Sequence, residues 1–479
     1  AGPAGYVGAI RAAQLGMSTA IVERDRLGGV CLNWGCIPSK ALLHNAELYR
    51  EMTVHGDDLG LEIKSHAVHW DKIIGRSRGI TDKITGGVGF LMKKNKIDTY
   101  EGHATITSGR TDNGPCTVEV RSPTGDYYHG TGEGDPNAVI TADRVLVATG
   151  AAPRDLPFAR FDGTRIISSY DAMIYPKQPK SMLVVGSGAI GMEFAYFYNA
   201  FGTEVTVVEM LDRILPAEDP DISKLAQREF SKQGITLRTG MTLKAADVTK
   251  KGVSATIGDV NDDAKTEKLD VEVVLLAIGV AGRYDQLFGD GVDVEIEKGH
   301  IKTDYRDAEE PTYQTSVPGI FAVGDCIGAP WLAHVGSEEA VTAVERMAGH
   351  HTLGVDYKAI PACTYCNPQV ASIGMTEAAV KEAGIEYKVG TYRLQAHGKA
   401  IAVGAAAGMV KIITSEPYGE ILGAHIIGED ASELIAEMSL AIRLEATVED
   451  VISTMHAHPT MHEGIHEAAL DSEGRVIHA

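Results

Sequence analysis

Cys31 and Cys36 stand in the run Cys31-Leu32-Asn33-Trp34-Gly35-Cys36-Ile37-Pro38-Ser39-Lys40, with four residues between the thiols. Two sulfurs at this spacing can close a small disulfide ring with little backbone movement. Ile37 through Leu43 reads as the start of a helix, because proline is tolerated in a first helical turn. A helix N-terminus favours negative charge and so stabilises a thiolate. The pair therefore reads either as a redox switch or as a buried structural pair, and spacing alone leaves both open.

The elements that would position such chemistry are legible elsewhere. Met182-Leu183-Val184-Val185 reads as a buried parallel strand, followed by Gly186-Ser187-Gly188-Ala189-Ile190-Gly191 as a glycine turn. Met192 to Ala200 has helical character, and Glu204 to Val208 reads as a second strand ending in Glu209. This is the dinucleotide-binding fingerprint in its structural context: a tight turn, close backbone approach to a pyrophosphate, and phosphates at a helix N-terminus. Glu209 follows Gly188 by 21 positions and is placed for a ribose 2′-hydroxyl. The N-terminus repeats the pattern at an offset of 186: Gly2 and Gly5 match Gly188 and Gly191, and Glu23 follows the short strand Thr19 to Val22. That offset puts the first glycine of this copy one position before Ala1, so a strand and a glycine are expected ahead of it. Two dinucleotide sites imply two dinucleotides, one of them a flavin. Arg144 to Gly150, Val273 to Gly279 and Thr315 to Asp325 each read as a buried strand running into a turn. Asp325 could accept hydrogen bonds from a polyol chain or could cap a helix. Arg121 to Pro136 reads as a polar, mobile hairpin without chemistry.

The chain has 479 residues, room for about three domains. Its apolar content of 44% and charged content of 23% are those of an ordinary globular enzyme. A net charge of −21 argues against nucleic acid and against an anionic membrane surface. Six cysteines in so long a chain do not make a secreted disulfide scaffold. The richest apolar run, Val271 to Val280, is too short to span a bilayer and contains Glu272.

On the Cys31 to Lys40 run, Ala148-Thr149-Gly150, the fingerprint at 186–209, Gly324-Asp325 and His456-Ala457-His458-Pro459-Thr460-Met461-His462-Glu463, the chain resembles the class I pyridine nucleotide-disulfide oxidoreductases. Among these two-cysteine flavoproteins it is most similar to the dihydrolipoyl dehydrogenases. The resemblance implies an α/β fold with two Rossmann-like domains and a C-terminal α+β dimerisation domain. It implies an FAD-binding domain over 1–150, an NAD-binding domain over 151–280, a central domain over 281–346 that completes the FAD site, and an interface domain over 347–479. Cys36 would face the flavin as the charge-transfer thiolate, and Cys31 would exchange with substrate. Lys40 would lie near the flavin N5, paired with Glu193. Gly2, Gly5 and Glu23 would hold the FAD adenosine and pyrophosphate, Ala104 the adenine through its backbone, and Asp325 the ribityl chain with Ala333 nearby. Thr149, Gly150, Ile190, Leu243 and Gly279 complete the expected cofactor contacts, with Gly186, Gly188, Gly191 and Glu209 on NAD. His458 would be the acid/base, oriented by Glu463, reaching the disulfide of the other subunit of a homodimer. The implied reaction reoxidises protein-bound dihydrolipoyl groups and gives NADH. The implied partners are lipoyl domains of 2-oxoacid dehydrogenase acyltransferases or a glycine-cleavage carrier, in a bacterial cytoplasm or a mitochondrial matrix.

Other readings compete. His462-Glu463-Gly464-Ile465-His466 matches the zincin pattern, but Gly464 weakens the helix it requires, and no metal is expected. Cys363-Thr364-Tyr365-Cys366 precedes a strand-like segment and lacks a helix N-terminus, so two ordinary thiols are expected. Cys116 and Cys326 read as structural, His456 as a packing histidine, and His334 as either a flavin-site lining or a satisfied polar residue. Glutathione-type reductases use NADPH, whose 2′-phosphate Glu209 would repel; Arg213 is the counterargument. Mercuric reductases carry a C-terminal cysteine pair absent here. Val280-Ala281-Gly282-Arg283 departs from the family's usual Arg-Arg-Pro. A non-catalytic flavoprotein subunit would be favoured had Cys31, Cys36 or His458 been lost.

Overall fold

The computed structural model describes residues 1–112, 114–125, 130–306, 308 and 310–478. The chain forms two compact units, each assembled from separate stretches. Ala1–Ala41, Gly75–Arg154 and Gly279–Val355 make the first, and Leu42–Ile74, Asp155–Ile278 and Asp356–Ala479 the second.

In the first unit, helix Pro3–Gln14 follows Gly2 as its N-cap, with Pro3 at the first position where its missing N–H is no loss. The helix buries a face of small residues, Ala4, Gly8, Ala9 and Ala12. A Cβ at Gly8 would stand 3.2 Å from both Ala340 and Leu146, which lets this helix seat closely on helix Ala333–Met347. Strand Ala20–Glu23 pairs in parallel with Asp98–Glu101, and Val145–Val147 with Ile320–Ala322. His103–Ser108, Cys116–Thr124 and Thr131–Ala142 form an antiparallel ribbon. The ends of the expected polar hairpin, Arg121 to Thr124 and Thr131 to Pro136, lie in two of these strands, and its residues 126–129 lie outside the described residues. Ala9, Ile21, Leu32, Val88, Met92 and Ile97 share one core cluster.

The second unit contains a parallel five-stranded sheet. Its order is Thr236–Thr239, Glu204–Glu209, Ser181–Val185, Val273–Leu276 and Ile166–Ile167. The central strands are continuous apolar runs, as a sheet covered on both faces requires. Met182, Val184, Val205, Val207, Val273 and Leu275 pack with Met192, Phe194 and Phe197 of helix Ala189–Ala200. A second sheet is antiparallel, in the order Ala362–Thr364, Gln369–Gly374, Ile421–Gly428, Met409–Ser415 and Tyr387–Arg393. Helices Ala431–Arg443 and Glu463–Ser472 share its core through Leu434, Ile435, Ile465 and Ala468. Each of the buried leucine and isoleucine side chains contributes about 1.5–3 kcal/mol. Among the described residues no helix is long and apolar enough to cross a membrane.

Candidate redox active site

The cysteine run folds as two helices joined at Gly35. Gly28, at φ +94°, caps a short helix Gly29–Trp34 that carries Cys31. Cys36 is the first residue of helix Cys36–Val54, where exposed main-chain N–H groups favour an anion. Both sulfurs are present as partly buried thiols. The hydrogen bond from Cys31 holds the Cys36 thiol below its usual range, against burial and with help from the Lys40 ammonium. The same bond, with burial and the charge on Cys36, pushes Cys31 up. The pair is thus polarised toward negative charge on Cys36, with Cys31 as the hydrogen-bond donor. Asp325 lies in the 3-10 turn Gly324–Ile327, whose N-cap is Val323, so the capping role open to Asp325 in the sequence is not the one it takes. Burial pushes its carboxyl up to about 6, and its charge acts on Cys36.

The two glycine motifs have matching geometry. Gly2 caps its helix at φ −68° and ψ −176°, and Gly188 caps helix Ala189–Ala200 at φ −66° and ψ 179°. Neither helix has a side-chain cap, so both N-termini keep donors available for phosphate oxygens. A Cβ on Gly188 would have nothing within 4 Å, which leaves room for a ligand over this helix end. Gly186 sits at φ +99°, and a Cβ there would fall 2.4 Å from the Ala277 carbonyl oxygen. Gly191 is tighter still, its Cβ 2.0 Å from the Gly186 oxygen. These residues fit two pyrophosphate-bearing cofactors.

Around the first motif, Glu23 ends strand Ala20–Glu23 and accepts the Asp25 N–H at 2.9 Å. A Cβ on Gly5 would meet that of Ala148 at 3.6 Å. Ala104 lies on the antiparallel ribbon opposite Val120. The Thr149 hydroxyl donates to the Arg283 carbonyl, and Gly150 takes φ +72°. Ala333 opens helix Ala333–Met347 without a side-chain cap, and His334 follows it. Gly279, at φ +101°, accepts the Arg154 N–H at 3.1 Å. Around the second motif, buried Glu209 is tied to the loop itself. One oxygen accepts the Ser187 N–H at 2.9 Å and hydroxyl at 2.8 Å, and the other the Leu211 N–H at 3.0 Å. Lone pairs remain for a ribose hydroxyl. Arg213 is turned to Asp212, at 3.0 Å, and to the Pro216 carbonyl. Ile190 is exposed, while Leu243 is buried in the core with Leu183 and Val185 and can offer a ligand little but backbone. Glu193 is buried and accepts the Tyr365 N–H at 3.1 Å.

The histidine segment divides its acids cleanly. His458 Nδ1 lies 2.8 Å from Glu463 Oε1, and Glu463 Oε2 accepts the Thr460 N–H at 2.9 Å. Burial pushes the Glu463 carboxyl up, but the Thr460 N–H and His458 outweigh it and hold it below its usual range. With Glu463 accepting at Nδ1, a neutral imidazole presents Nε2 for proton transfer. His456 Nε2 and His462 Nδ1 share Glu437, each at 2.7 Å, and His466 Nε2 meets the Ile452 carbonyl at 3.1 Å. The zincin residues therefore face three different partners, and no metal-binding group forms among the described residues. Cys366 is buried in the apolar core, and Cys326 is buried beside the Val323 carbonyl with its thiol pushed up to about 12 by burial.

Several contacts have no signal in the sequence. Arg76, Ser77 and Arg78 bond main-chain carbonyls of the cysteine segment. Glu339, fifteen positions after Gly324, accepts that glycine's N–H at 2.6 Å. Glu437 joins two histidines 19 and 25 positions away. Each depends on tertiary packing rather than on a local pattern.

Residues 1–345 match the family model described as pyridine nucleotide-disulphide oxidoreductase, and residues 360–469 match the dimerisation domain of that family. The dihydrolipoyl dehydrogenase of Rhizobium etli is 42% identical over 487 residues, covering 100% of this chain and 98% of its own. That of Bacillus subtilis is 39% identical over 477 residues, covering 100% and 97%. The crystal structure of LpdA from Mycobacterium tuberculosis superposes with a TM-score of 0.86 at 24% identity, covering 98% of this chain and 97% of that one, and so shares the fold.

Proposed function

The chain belongs to the pyridine nucleotide-disulphide oxidoreductase family, and on that premise we propose that it is a dihydrolipoyl dehydrogenase. It oxidises the dithiol of protein-bound dihydrolipoyl groups and reduces NAD to NADH, with FAD between. The observation that carries this reading is the placement of the two thiols: Cys36 opens helix Cys36–Val54, Cys31 lies on the short helix before it, and the hydrogen bond from Cys31 lowers the Cys36 thiol.

Each residue then has a task. In the oxidised enzyme Cys31 and Cys36 share a disulfide. His458 Nε2 takes a proton from one thiol of the substrate, whose sulfur attacks Cys31 and releases Cys36 as thiolate. The second substrate thiol attacks the mixed disulfide, closes the lipoyl ring and leaves Cys31 reduced. Glu463 holds the imidazole and stabilises its cation during this exchange. The helix N-terminus and Lys40 hold the Cys36 charge. FAD, when bound, would supply the two-electron chemistry between this dithiol and the nicotinamide. Gly2, Gly5 and Glu23 would hold the FAD dinucleotide and Asp325 its polyol chain. Gly186, Gly188 and Gly191 would hold the NAD pyrophosphate, and Glu209 the ribose hydroxyl that NADP would block with phosphate.

Dihydrolipoamide with NAD should give rapid NADH formation, and glutathione disulfide with NADPH should give almost none. The reverse preference would replace this reading with a glutathione-type reductase.

A further inference from the structure

The four residues between the thiols decide how readily the two sulfurs meet, and two of the four are gripped from outside. Asn33 is fully buried, and its Nδ2 donates to the carbonyls of Leu27 at 3.0 Å and Gly29 at 2.9 Å. The Asn33 carbonyl accepts from Arg78 Nη1 at 2.8 Å. The same guanidinium lies over the Trp34 ring, 5.2 Å from its centroid. The Trp34 indole N–H donates in turn to Asp25 at 3.0 Å. Arg78 ends a consecutive trio on helix Trp70–Lys94: Arg76 donates to the Ala41 carbonyl at 3.2 Å and Ser77 to that of Pro38 at 3.0 Å. Successive helix residues diverge by about 100°, so a shared target for all three means that the segment wraps this helix. Arg78 Nε and Nη2 are buried without a hydrogen-bond partner among the described residues. Two buried, unmatched donors on a half-buried cation are costly, which is not how a residue kept only for stability is built. Its compensation is the ring face of Trp34 and the carbonyl of Asn33, both inside the cysteine loop.

We propose that Arg78 and Trp34 are positioning residues that act as one unit, pre-organising the Cys31–Cys36 segment for ring closure and so setting its dithiol–disulfide equilibrium. This rests on reading the pair as the redox couple. On closure the pair loses two electrons and two protons as the S–S bond forms, and an oxidant disulfide takes both and becomes a dithiol. A loop already ordered loses less conformational freedom on closing, so the brace favours the disulfide.

The test equilibrates the holoenzyme with graded ratios of oxidised and reduced dithiothreitol. The alkylated fraction of the Cys31–Cys36 peptide is then read by mass spectrometry. Arg78→Ala and Trp34→Val should each shift the midpoint ratio roughly 3–10-fold toward the dithiol, and the double variant should shift it no further than the larger single. Arg78→Lys should recover part of the shift, because an ammonium can meet the carbonyl and the ring but cannot stack. A purely structural role would lower the melting temperature and leave the midpoint where it was. That result, or additive shifts in the double variant, overturns the proposal while the redox reading stands. A wild-type pair that does not interconvert reversibly overturns both. Should Arg78→Ala fail to fold, Arg78→Lys and Trp34→Phe carry the same comparison.

Discussion

A histidine as exposed as His458, 79% at its side chain, gains a defined tautomer only from a partner that is itself held. Glu463 is such a partner, because Thr460 fixes its second oxygen. Replacing His458 by Gln should slow dithiol oxidation about 10²–10⁴-fold in stopped-flow reduction while FAD stays bound, and an unchanged rate would remove its role as base. The thiols carry a second prediction. The Cys31 hydrogen bond and the Lys40 charge depress Cys36, so its thiolate survives to lower pH than an ordinary thiolate would. The long-wavelength absorption of a thiolate beside oxidised flavin should persist at neutral pH in the two-electron-reduced enzyme. It should fade only as acid protonates Cys36, below the ~8.5 of a free cysteine. Cys36→Ser should lack it at every pH, and a midpoint at or above 8.5 in the wild type would contradict the polarisation. At this scale the Cys31–Cys36 and His458–Glu463 pairings were legible from spacing and chemical type. Their partners were not: nothing local to Arg78 or Glu437 announces a bond to a loop 45 or 19 positions away.

The two glycines of the second motif separate binding from folding. Gly188 has open space where a Cβ would go, and Gly191 has the Gly186 carbonyl oxygen at 2.0 Å. Gly188→Ala should leave the melting temperature nearly unchanged and weaken NADH binding by calorimetric titration, because the added methyl occupies room for the pyrophosphate. Gly191→Ala should lower stability by about 1–3 kcal/mol, because helix and strand must separate. Equal melting temperatures would show that the close approach is not structural. Behind this motif, Lys411 is buried among Asp219, Asp221 and Glu377 at 2.6–2.9 Å and ties the nucleotide segment to the C-terminal sheet within the second unit. Neighbouring Glu218 is pushed up to about 7 by burial. Its folded value lies above its unfolded one, so its favourable contribution is complete at low pH and is lost as pH rises through about 7. Glu218→Gln should therefore match the wild type below about pH 4 and exceed it by up to about 3 kcal/mol at pH 8 in denaturant titrations. A gain equal at both pH values would assign the effect to packing. The strands and glycine turns were legible because an apolar run ending in glycine is a local signal. The ion cluster was not, since Lys411, Asp219 and Glu377 come from three distant stretches.

Within the stretch that matches a dimerisation domain, Leu440, Leu444 and Met455 are exposed, Met455 at 95%. Large apolar side chains left in water on one segment mark a surface that a partner covers, and that segment leads directly to His458. The dithiol belongs to the first compact unit and the His458–Glu463 pair to the second. A closed two-fold dimer would let each copy lend its base to the other's thiols. Mixed dimers test this. One subunit carries Cys31→Ser with His458 intact, and the other carries His458→Gln with both cysteines intact. If the base serves the opposite copy, one complete site forms per mixed dimer, and purified mixed dimers should have about half the wild-type kcat. If the base serves its own copy, neither site is complete and the mixed dimers should be as slow as either parent. Differential affinity tags isolate the mixed species. Flavin content, equal in all three, excludes cofactor loss as the cause of a low rate.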